Sequence, residues 1–217
     1  MVCNVTREGL NLKRTSLGEL IANAISHGIG LVLSIIGLVF LLVKARGSAE
    51  ILSSLVFGIS LILLYTSSTL FHSFPEKMKR VFTVFQRLDH SSIFLLISGT
   101  YTPFLVLVIN NVKGYILLGF LWVITIVGIV FKSIWIQKFK FIHLAIYLMM
   151  GWSLVFVYQN FIANIGDFYF VLAGGLAYTF GIAFYVSKFK YSHFIWHLFV
   201  LMGSIFHWLA VWTILSW

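Results

Sequence analysis

A single cysteine, Cys3, rules out an internal disulfide and any multi-cysteine metal centre. Acidic residues are almost as scarce, six in 217, and charged residues of both signs make up only 10% of the chain. That is too little polar surface for a water-soluble domain. Proline occurs twice, at Pro75 and Pro103, and both are expected near helix ends or the outer part of a membrane span. No internal repeat, heptad or low-complexity segment is present, so repeat and coiled-coil architectures are excluded. The net charge of +9 does not signal nucleic acid, because no basic residues interleave with aromatics on an extended polar face.

What the chain does have is apolar: 60% hydrophobic residues, 22 phenylalanines, nine tyrosines and seven tryptophans, with a mean hydropathy of +1.01. An integral membrane protein follows, and the aromatics suit lipid-facing surfaces and interfacial belts. Apolar runs at about 20–43, 51–72, 89–110, 114–131, 141–159, 168–187 and 192–216 are each close to the ~20 residues that cross a bilayer. The first is too long for a secretory leader and is expected to be retained. The predicted fold is all-α: a seven-transmembrane helix bundle at 19–217, preceded by a polar tail at 1–18.

Twelve of the fifteen basic residues fall in the tail and in the connections after the second, fourth and sixth runs. By the positive-inside rule the N-terminus is cytoplasmic and the C-terminus extracytoplasmic. Gly114, Gly119, Gly128, Gly174, Gly175 and Gly181 are expected to permit close helix packing.

Ionisable groups in membrane spans are costly and usually face the bundle interior. His193 and His197 stand four residues apart at the start of the seventh run, on one helical face. Alone they read equally as packed core histidines. The alternating topology brings them level with His72 at the end of the second run and Asp89 at the start of the third. Three neutral imidazoles and a water make a tetrahedral zinc site with an exchangeable position. Asp89 then either takes a proton from that water or ligates the metal directly, the first being preferred. Ser68, one turn from His72, either donates to a developing oxyanion or bonds back to its own helix.

In the first helix Glu19, Asn23 and His27 share a face. They are read as a helix-start residue and interhelical hydrogen-bond partners, with His27 the alternative ligand. His90 is expected to point away from the face of Asp89, and His143 to be interfacial. His207, about 15 Å along the helix from His197, is too far to share a metal and is read as structural or interfacial.

The motifs Glu19-x3-Asn23-x3-His27, Ser68-x3-His72, Asp89 and His193-x3-His197, in this order, resemble those of bacterial hemolysin III-type members of the progestin and adipoQ receptor (PAQR) family. That family lies within the ceramidase-like membrane hydrolase superfamily. The resemblance spans nearly the whole chain. It implies a seven-helix fold in a bacterial cell membrane with Zn2+ near the inner leaflet, ligated by His72, His193 and His197, with Asp89 and Ser68 accompanying the water on the zinc. The chain lacks the long soluble N-terminal region of the animal receptors, which argues against hormone reception.

The leading functional expectation is a zinc-dependent hydrolase of a lipid amide or ester, with a membrane lipid as substrate. The alternative is a non-enzymatic lipid sensor or regulator with a structural zinc. A pore-forming hemolysin is third, because no polar stripe runs the width of the membrane.

Overall fold

The computed structural model describes residues 16–75, 77–135, 139–159, 162 and 168–215. Most of the expected tail, residues 1–15, lies outside them, as do 216 and 217. Every regular element among the described residues is helical. They are α1 (Leu17–Lys44), α2 (Ser48–Ser73), α3 (Lys79–Pro103, running on as a π-helical turn Phe104–Ile109), α4 (Val112–Ile134), α5 (Lys140–Gly151, followed by a 3-10 stretch Ser153–Val157), α6 (Phe168–Val186) and α7 (Ser192–Ile214). Six of these are long and apolar enough to cross a membrane, whereas Phe141–Val157 is a shorter apolar segment.

Local chemistry explains several boundaries. Ser16 caps α1 by accepting from the Glu19 amide, and Asn111 caps α4 by accepting from the Gly114 amide. Pro75 follows the end of α2, where the chain must leave helical geometry. Two expectations need correction. Helix α3 starts at Lys79, ten residues earlier than the apolar run, because its first turns are amphipathic; Asp89 sits inside the helix, not at its start. Pro103 is the last residue of α3, in keeping with its expected place near a helix end, and the chain continues from it as a π turn. The fifth run is not one regular helix, since α5 ends at Gly151 and a 3-10 stretch takes over after Trp152.

The helices form a sequence of neighbours: α6 packs on α7, α7 on α1, α1 on α2, α2 on α3, α3 on α4, and α5 against α3 and α4. Helices α1 and α7 run parallel. The Asn23 carbonyl meets His197 near their starts, the Gly37 carbonyl accepts from Trp208, and Lys44 Nζ donates to the Trp212 carbonyl near their ends. Lipid cannot supply a hydrophobic driving force between apolar helices, so close packing and polar cross-links hold them. Ser98 bonds Thr125 between α3 and α4 at 2.7 Å, and Ser67 donates to Ser92 between α2 and α3. Lys132, read from the sequence as a loop charge, is only 2% exposed on α4.

Glycines sit where rings cross a helix axis. Gly128 faces the fully buried Phe94 ring, and a Cβ there would come within 2.5 Å of Phe94 Cζ. Gly114, Gly174 and Gly181 are similarly crowded, whereas Gly119 and Gly175 have open space. Gly128→Ala is therefore expected to cost about 1–3 kcal/mol by overpacking. Gly119→Ala is expected to be neutral or slightly stabilising, as thermal unfolding in detergent would show.

Candidate metal centre and its cavity

Helices α2 and α7 bring three imidazoles together. One ring nitrogen from each of His72, His193 and His197 lies within 4.8 Å of the others. The rings meet edge to face or tilted, with centroids 5.2 Å apart for His72 and His193, 4.9 Å for His72 and His197, and 4.7 Å for His193 and His197. The spacing of His193 and His197 by one helical turn and the position of His72 in the last turn of α2 produce this convergence.

Two features show that the trio is suited to a cation. The Nδ1 of His197 lies 3.3 Å from both the Asn23 carbonyl oxygen and Ser26 Oγ. A carbonyl only accepts, so His197 carries its proton on Nδ1 and leaves the Nε2 lone pair for a metal. The Ser26 hydroxyl itself donates to the Asn23 carbonyl, which fixes this small support. The Nε2 of His72 is buried and has no hydrogen-bond partner. A buried acceptor left unpaired costs about 1–3 kcal/mol, a penalty that coordination removes. Three neutral nitrogens also make a recognised donor set for zinc.

The acid predicted from sequence is at hand. Asp89 from α3 is hydrogen-bonded by Ser68 of α2, so the serine serves a neighbouring helix. Ser68 and Asp89 line a cavity of about 510 Å³ together with His193 and His197. The expectation for His90 is overturned: its Nδ1 lies 3.5 Å from Asp89 Oδ2 and 2.8 Å from the Gln86 carbonyl, and the ring lines the same cavity. Adjacent side chains on a helix diverge by only about 100°, which leaves them within reach at a concave surface.

His27 is fully enclosed and stacked on His197, with centroids 3.6 Å apart and planes 12° apart. It is a neighbour of the trio rather than a member of it. His143, in the first turn of α5, is packed against its neighbours with Nδ1 on the Phe139 carbonyl. Sequence reasoning missed Ser26, whose role depends on α1 and α7 being parallel neighbours. It also missed Tyr147 and Tyr185, aromatic walls near Asp89; Tyr147 donates to the His90 carbonyl at 2.9 Å.

The cavity runs from this polar end past Val200 to His207. Its wall includes Trp152, Val155 and Tyr158 of the irregular segment after α5, all three exposed on the outer surface. It is lined mainly by apolar and aromatic groups with a few polar ones, the pattern of a small-molecule site.

The sequence matches known proteins along most of its length. A family model described as Haemolysin-III related covers residues 18–208. The Hemolysin-3 homolog of Bacillus subtilis (strain 168) is 42% identical over 195 residues, which cover 87% of this chain and 91% of that protein. Hemolysin-3 of Bacillus cereus is also 42% identical, over 86% of this chain and 87% of its own length. The human Monocyte to macrophage differentiation factor is 29% identical over 89% of this chain and 83% of its own, in keeping with the wider PAQR grouping. With six apolar helices of spanning length and a match over nearly the whole bundle, this multi-pass membrane protein belongs to the haemolysin-III related family.

Proposed function

We propose that the chain is a zinc-dependent, ceramidase-like hydrolase that cleaves an amide or ester bond of a membrane lipid. The observation that carries this reading is the convergence of three imidazoles, of which His193 and His197 line one end of a lipid-sized cavity that Asp89 and Ser68 also line. A bundle held together only by a structural metal has no need of such a cavity beside it.

The proposed topology is a seven-helix one with the N-terminus cytoplasmic. The six long helices are joined by α5 and its 3-10 extension. At about 1.5 Å per α-helical and 2.0 Å per 3-10 residue, twelve and five residues reach roughly 28 Å. That is near the ~30 Å of a hydrocarbon core. With the basic connections inside a bacterial plasma membrane, the histidine cluster lies at inner-leaflet depth, where a lipid's amide or ester linkage resides.

His72, His193 and His197 would hold the metal. A zinc ion bound there supplies Lewis acidity toward an acyl carbonyl and lowers the pKa of water toward neutrality. The protein's own part is positional. The Asn23 carbonyl and Ser26 orient the His197 ring. Asp89, the only acidic group on the cavity wall among the described residues, accepts a proton during attack and returns it to the leaving amine or alcohol. Ser68 keeps the Asp89 carboxylate aimed by hydrogen bonding to it. The apolar wall, including Leu64, Ile93, Leu96, Ile97 and Val200, takes the acyl chain and excludes water.

Purified protein is expected to contain stoichiometric zinc and to release fatty acid from a mixed panel of ceramides, N-acyl amines and phospholipids. Chelation should abolish release, and restoring zinc should recover it. Zinc-replete protein that hydrolyses nothing on the panel would favour a structural clamp in a lipid sensor.

A further inference from the structure

His207 is a buried polar group that the proposed reaction does not use. It lies ten residues beyond His197 on α7, about 15 Å along the helix axis. Both imidazoles line the same cavity. The ring reaches α6 because Gly174 has no side chain; a Cβ there would collide with it. Its Nε2 is 3.2 Å from the Val171 carbonyl oxygen. That oxygen can only accept, so the neutral ring carries its proton on Nε2 and presents a lone pair at Nδ1.

Nδ1 is buried, in a side chain only 8% exposed, and has no hydrogen-bond partner. The nearby phenol of Tyr178 does not fill this role. Tyr178 has its ring 5.4 Å from that of His207, but its hydroxyl pairs at 2.9 Å with Ser204, either oxygen able to donate, while Ser204 accepts from Tyr65 at 2.8 Å. A water would need two to four polar partners, and the nearby lining of Val171, Leu172, Gly175 and Val200 is mostly apolar.

We infer that the end of the cavity remote from the three histidines is a second ligand subsite, where His207 Nδ1 accepts a hydrogen bond from a hydroxyl carried on the far part of an acyl chain. This rests on the proposed reading of the cavity as a lipid site. A terminal methyl group leaves Nδ1 unsatisfied. Among the described residues a charged ammonium group finds no carboxylate there, since Asp89, the one acid among those that line the cavity, is at the other end. A hydroxyl donates the one hydrogen bond that is missing and adds no charge.

The test measures displacement of a fluorescent fatty acid from detergent-solubilised, zinc-loaded protein by dodecanoic, 12-hydroxydodecanoic and 12-methoxydodecanoic acids. An extended chain of that length matches the roughly 15 Å rise between His197 and His207. Wild type should prefer the hydroxy acid to the methoxy acid by roughly five- to tenfold, the yield of one added hydrogen bond in a buried site. His207→Phe should erase that preference and keep dodecanoic acid binding. Equal affinities in wild type overturn the inference whether or not the variant folds, as does a preference that survives in His207→Phe. Dodecanoic acid binding without a hydroxyl preference rejects only the subsite; failure of all three acids to bind rejects the lipid cavity as well.

Discussion

His197→Ala is expected to reduce bound zinc from stoichiometric to background and to lower lipid turnover by at least about a thousandfold, because metal catalysis fails as a whole when a ligand is lost. Of the three ligand candidates His197 is the most buried, at 1% exposure, and the one whose free nitrogen is dictated by its surroundings. The same variant removes the ring on which His27 stacks, so some loss of thermal stability accompanies loss of metal. His193→Gln at the more exposed corner of the site separates these effects, since it removes a ligand from a half-buried position. Elemental analysis and a fatty-acid release assay on both variants decide the matter. Unchanged zinc content in both would remove the three-histidine site from consideration.

Asp89→Asn is expected to behave in the opposite way with respect to metal. Zinc should be retained, because the three nitrogens are untouched, and turnover should fall by about 10²–10⁴-fold, the usual contribution of a positioned proton acceptor. The asparagine keeps the shape of the side chain and can still meet Ser68, so a packing defect is a poor explanation for such a loss. Turnover close to wild type would show that Asp89 moves no proton. Loss of zinc together with activity would make Asp89 a direct ligand. Ser68→Ala should produce a smaller fall, since the serine acts by holding Asp89 in place.

Much of the site was legible because its signals are local or depend only on topology. The four-residue step between His193 and His197 is a statement about one helical face. Their shared level with His72 follows from alternating helix directions, and basic-residue placement suggests those directions. What escaped depends on lateral arrangement. That the Asn23 carbonyl and Ser26 would receive His197 Nδ1 requires α1 to lie beside α7, and no periodicity in either segment says so. Helix α3 was started too late because Lys79, Arg80 and Arg87 interrupt apolarity without interrupting helicity. The fifth segment reads as one span because the change to 3-10 geometry after Trp152 has no proline to announce it. Helix rise separates His207 from the three-histidine group, yet its place at the far end of a cavity is not legible from distance along one helix.

The pairing of α1 with α7 has a consequence for how the protein is made. Two of the three candidate ligands, His193 and His197, reside on the last described helix, and the groups that orient His197 reside on the first. During synthesis, His72 is already in place while the site is still incomplete. The cluster forms only when α7 has inserted and closed against α1, so a nascent chain halted before that point offers a metal a single imidazole. A cation held by the three histidines would tie α2 to α7, so its capture would report that the last described helix has joined the bundle.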